Sequence, residues 1–139
     1  MPVCRDTPRL RQTPCGVRDL TVQLDHAALT NILDLYCDDA EGLQSLVASF
    51  ALSATELSEE IALGVERLDA RTVGRAAHTL KSSAGQFGAT ELARLCGELE
   101  RRTLVELDWP TVVVLSPKLA PTLQEALHAV HMLAAGAAE

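Results

Sequence analysis

Aromatic side chains are almost missing from this chain: two Phe, one Tyr and one Trp among 139 residues, 3% of the total. Apolar residues make up 47%, enough for a core, so Leu, Ala and Val must fill it. Long alternations of β-branched residues are also nearly absent, and Ala and Leu lead the helix-propensity scale. An all-α bundle is the first expectation. The longest apolar runs fall far short of a membrane span, and no N-terminal stretch resembles a signal peptide. The four cysteines, Cys4, Cys15, Cys37 and Cys96, form no CxxC pair. A reduced, cytoplasmic protein is the simplest reading of them. There is no carboxylate cluster suited to Mg²⁺ and no Gly-rich phosphate loop for ATP.

Charge is unevenly placed. Residues 1–20 hold Arg5, Arg9, Arg11 and Arg18 against Asp6 and Asp19, while the remainder holds eight basic and seventeen acidic residues. An acidic body argues against nucleic-acid binding. Residues 1–20 also contain Pro2, Pro8 and Pro14 without an apolar period, and read as a flexible tail or linker. Residues 21–139 then form one domain. Whether the chain is free-standing or a module of a longer protein is left open.

Periodicity and capping divide that domain. Asp25 can cap a short first helix of about 26–37, with apolar positions at Leu29, Ile32, Leu33 and Tyr36. Asp38 and Asp39 break it and can cap a second helix over roughly 40–67, striped from Leu43 and Val47 through Phe50, Ile61 and Val65 to Leu68. Asp69 can cap a third, about 70–87, which Gly88 ends in a left-handed conformation. A fourth, about 90–104, buries Leu92, Leu95, Cys96, Leu99 and Thr103. Cys96 reads as a small core residue. Asp108 before Trp109-Pro110 starts a last helix, about 109–135, that Pro117 and Pro121 should kink or restart. Long amphipathic helices with short connections predict an antiparallel, up-down four-helix bundle with the short first helix as a cap.

The third helix carries the most informative residue, His78. Val73, Ala77, Leu80, Ala84 and Phe87 form its buried stripe. His78 lies about 100° around from that stripe and should face outward. Its own face holds Arg71, Gly74, Arg75, Lys81, Ser82 and Gly85, which are cationic or very small. Such surroundings suit an imidazole that holds an anion and lets another surface approach. His128 and His131, three apart on the last helix, lack a third ligand and do not make a metal site. His26 carries no signal.

The segment from Ala77 through Lys81 to Gly88-Ala89, followed by Leu92, Leu95-Cys96 and Leu99-Glu100, resembles the histidine-containing phosphotransfer (HPt) family. The resemblance covers roughly residues 22–135, and its specific part is 70–100. It implies a four-helix bundle and a phosphorelay carrier rather than an enzyme. A receiver domain's phosphoaspartate passes its phosphoryl group to His78, which passes it to another receiver's aspartate. By the resemblance, Nε2 accepts the group, Lys81 stabilises its charge, and Glu100 accepts a hydrogen bond from Nδ1–H and fixes the ring. Arg71, Gly74, Arg75, Ser82 and Gly85 become partner-binding residues, the small ones giving access to a recessed acidic pocket. The metal, Mg²⁺, belongs to the receiver, and this chain needs no cofactor. The partners implied are receiver domains and a sensor or hybrid histidine kinase, with no nucleic acid and no membrane. A monomer docking through its second and third helices is expected. Two alternatives stay open on these grounds: a docking or regulatory module of the same fold that takes no phosphate, and the phosphoacceptor domain of a larger hybrid or chemotaxis-type kinase.

Overall fold

The computed structural model describes residues 24–138; the expected tail at 1–20 lies outside them. In chain order the elements are α1 (His26–Leu35), α2 (Ala40–Glu66), α3 (Ala70–Gln86), α4 (Thr90–Leu104), α5 (Trp109–Leu115), a 3-10 turn (Ser116–Lys118) and α6 (Leu119–Ala138). Aspartates start most of them by accepting a hydrogen bond from an otherwise unpaired first-turn amide. Asp25 accepts from the Ala27 amide at 3.0 Å, Asp39 from Gly42 at 2.8 Å, Asp69 from Thr72 at 3.3 Å and Asp108 from Thr111 at 3.3 Å. Pro117 lies in the 3-10 turn and Pro121 in the first turn of α6, where a missing N–H breaks no helical bond. The last helix is therefore interrupted and restarted, and continues in the same right-handed sense.

The bundle closes as a ring. α2 packs on α3 and α6, and α4 packs on α3 and α6. Connections of three or four residues make sequential neighbours antiparallel. The inward stripes meet in one core that includes Phe50, Ile61, Val73, Leu80, Leu92, Leu99, Val112 and Leu123. Each fully buried Leu or Ile contributes about 1.5–3 kcal/mol. Phe50 and Phe87 stack with centroids 4.3 Å apart. α1 caps the end where α3 turns into α4, through a single antiparallel bridge between Leu24 and Ala89. Gly88 ends α3 at φ +72°, as its position predicts.

Two expectations need correction. Leu68 does not extend the α2 stripe. It is 61% exposed at φ 54°, and the Asp69 amide donates back to the Gly64 carbonyl at 2.8 Å. The helix must stop there so that Asp69 can cap α3, and the turn places a leucine where glycine is favoured. Cys37 is disulfide-bonded, so the expectation of reduced thiols fails at that position. Cys96 is free and buried, and desolvation pushes its thiol up to about 12 against the opposing charge of Lys81. That is the behaviour of an inert core residue.

Thr103 is fully buried, and its hydroxyl has no hydrogen-bond partner among the described residues. An unsatisfied buried hydroxyl destabilises the fold, and Val keeps the shape without it. Thr103→Val is expected to raise the unfolding free energy by about 1 kcal/mol. A urea titration should show a higher midpoint at unchanged slope; a lower midpoint would mean the hydroxyl is satisfied.

Candidate functional site

Midway along α3, the core stripe of Val73, Ala77 and Leu80 fixes the helix rotation and turns His78 outward. Its side chain is 60% exposed. The helix beside it, α4, is fixed by its own buried stripe of Leu92, Cys96 and Leu99, which delivers the next residue, Glu100, to the α3–α4 seam. Glu100 is 21% exposed and holds two partners at once. Its Oε2 lies 2.8 Å from His78 Nδ1, and its Oε1 accepts from Lys81 Nζ at 2.8 Å. Burial raises the Glu100 carboxyl, but hydrogen bonds and charge from Lys81 and His78 outweigh that and hold it below its ordinary value. An ionised carboxylate only accepts hydrogen bonds. Nδ1 therefore carries the hydrogen, and a neutral ring in this orientation has its lone pair on Nε2.

A shallow concavity of about 470 Å³ adjoins the ring, lined by Arg71, Gly74, Arg75, His78, Glu100 and Leu104. Arg71 and Arg75 are exposed and make no ion pair among the described residues. Towards the other end of α3, Ser82 and Gly85 are exposed, and a Cβ built on Gly85 meets nothing within 4 Å. The face around His78 is thus low in that direction. Gly74 has another task. It is buried, and an added Cβ would lie 2.4 Å from Leu104 Cγ, so its bareness seats a leucine of α4. Lys81 also differs from a free surface cation, because its ammonium is tied to Glu100.

Two residues that the sequence reading passed over belong to this geometry. Gly97 faces Lys81, and a Cβ there would sit 3.3 Å from Lys81 Cδ, so the lysine stem crosses α4 at a bare position. Leu104 forms one wall of the concavity. An isolated glycine inside an amphipathic helix was the one visible signal for Gly97. His128 and His131 stay apart from the site: His128 is exposed, and His131 Nδ1 lies 2.8 Å from the Leu127 carbonyl. Among the described residues no three His, Cys, Asp or Glu side chains gather as metal ligands, and no helix is long and apolar enough to cross a membrane.

The family model for the Hpt domain matches residues 45–132, more than half of the chain and the whole of this site. The chain belongs to the Hpt domain family. As an Hpt protein it is a histidine phosphotransfer carrier of phosphorelay signalling. The crystal structure of histidine-containing phosphotransfer protein B (HptB) from Pseudomonas aeruginosa PAO1 is similar to it, with a TM-score of 0.69 over 80% of this chain and 93% of that one. At 21% identity this likeness concerns the Hpt fold. No curated protein matches the Hpt chain in sequence.

Proposed function

We propose that His78 is the phosphoacceptor and that Nε2 is the reacting atom. The observation that carries this reading is the double engagement of Glu100, which fixes the ring through Nδ1 on a side chain that is 60% exposed and leaves Nε2 without a hydrogen bond among the described residues. The Nε2 lone pair attacks the phosphorus of a receiver's aspartyl phosphate. A P–N bond forms as the P–O bond breaks, and the aspartate leaves as carboxylate. The ring becomes an N-phosphoimidazolium whose positive charge Glu100 faces. The second transfer reverses these steps onto another receiver's aspartate. Transfers of this kind proceed through loose transition states that ask mainly for alignment and charge stabilisation. Arg71, Arg75 and Lys81 supply positive charge on the α3 side.

Under this reading the chain needs no cofactor and no ATP site of its own; Mg²⁺ acts in the receiver. It works as a monomer between receiver domains and a sensor or hybrid kinase. A receiver domain charged with labelled acetyl phosphate provides the test. The chain should acquire acid-labile, base-stable phosphate that peptide mapping places at His78. Label elsewhere, or none, would overturn the proposal.

Glu100 acts through the ring and is a positioning residue. Glu100→Ala should slow transfer by about 10–100-fold. Glu100→Gln, which still offers an oxygen to Nδ1–H, should recover part of that loss; no recovery would argue against ring orientation. Lys81→Ala should slow transfer or shorten the phosphohistidine lifetime by at least about tenfold while barely moving the Tm. A large fall in Tm would instead give the lysine a structural role.

A further inference from the structure

The end of α4 and the turn after it hold apolar side chains in water. Leu104 is 48% exposed, Val105 76% and Leu107 61%. Scattered exposed leucines are ordinary, but these follow one another within a turn that is firmly held. Arg102 bonds Glu98 at 3.0 Å, Glu106 at 3.2 Å and Asp108 at 3.0 Å. Arg101 bonds Glu98 and Glu106. The amides of Val105 and Glu106 donate to the Arg101 carbonyl, and that of Asp108 to Arg102. Leu107 is kept at φ 50°, a left-handed conformation unfavourable for a leucine. Strain and exposure thus coincide on one residue of a clamped turn, as they also do on Leu68 between α2 and α3; what sets this turn apart is its place beside His78.

This turn is continuous with the phosphoacceptor site. Leu104 sits in the notch left by Gly74 and shares the concavity with His78. Val105 and Leu107 lie within three residues of it, a reach of at most about 10 Å. A specific interface covers about 800 Å² per partner, a patch roughly 16 Å in radius. A protein that brings an acidic pocket onto Nε2 therefore extends over Leu104 and the start of this turn. Arg71 and Arg75, which line the same concavity as Leu104, match the acidic pocket itself.

We propose that the α4–α5 turn, through Leu104, Val105 and Leu107, is the apolar anchor of the receiver-docking surface. It packs against an apolar rim beside the receiver's phosphoaspartate. The inference rests on the phosphoacceptor reading of His78, and it places part of the footprint outside the second and third helices.

The test compares wild type with the double variant Val105→Ser/Leu107→Asn. Asparagine tolerates the left-handed conformation better than leucine, so the fold should keep or raise its Tm. The partner is whichever receiver domain, charged with acetyl phosphate, transfers fastest to wild type in a panel. The variant should need at least tenfold more of that receiver for half-maximal transfer, while His78 labelling by phosphoramidate, which needs no docking, stays unchanged. Equal receiver dependence in the two proteins would overturn the docking inference and leave the reading of His78 intact. A wild-type dimer that dissociates in the variant without any change in transfer would also overturn it and give the patch to a second copy. A wild-type chain that takes phosphate from neither donor would sink both.

Discussion

His78→Gln is expected to abolish phosphate uptake while leaving the bundle folded. Glutamine keeps a polar side chain of similar reach at a position that is 60% exposed, so core packing is untouched and the Tm should stay within about 2 °C. What it removes is the nucleophilic lone pair. Eliminating the nucleophile of a serine protease lowers turnover by about 10⁶-fold, so uptake should fall to the floor of a radiolabel assay, at least about 10³-fold down. Circular dichroism on the same sample separates this from unfolding. Uptake persisting at even a tenth of the wild-type rate would move the acceptor elsewhere, to His26, His128 or His131.

Gly88→Ala should be the most damaging of the conservative substitutions. The residue sits at φ +72°, where any Cβ is strained, and here the Cβ would also lie 2.7 Å from the Asp25 carbonyl oxygen and 2.8 Å from its nitrogen. Both are backbone atoms, and the Asp25 amide donates to the Gly88 carbonyl at 2.6 Å, so neither side can yield without undoing that bond. The left-handed strain alone is about 1–2 kcal/mol. Displacing the start of α1 should bring the total to about 3 kcal/mol, or roughly 10 °C in Tm. Gly85→Ala is the control three residues earlier. Nothing lies within 4 Å of its added Cβ, and the gain in helix propensity should raise stability by about 1 kcal/mol. Similar effects at the two glycines would contradict the description of the α3–α4 turn.

Within a single helix the sequence was a good guide. Asp25, Asp39, Asp69 and Asp108 mark helix starts because an aspartate before an apolar period has one strong local use. The stripe from Val73 to Phe87 fixes the rotation of α3, and with it the outward direction of His78. Leu68 misled because its spacing continues the α2 period, and spacing carries no information about where a helix must end. The remaining differences arise between helices. Gly74 looks like open ground when only α3 is considered, yet Leu104 of α4 fills the notch above it. Lys81 looks free until Glu100 reaches it from the neighbouring helix. Gly97 and Leu104 take their meaning from the α3–α4 contact, which depends on how two stripes pack and not on either one alone.

Nitrogen-15 NMR of the phosphorylated chain, labelled at histidine, reaches the centre of the account most directly. With Nδ1 donating to Glu100, the phosphorus-coupled nitrogen should be Nε2 of His78, and Nδ1 should keep its proton. Phosphorus bonded to Nδ1, or to a ring other than His78, would contradict it.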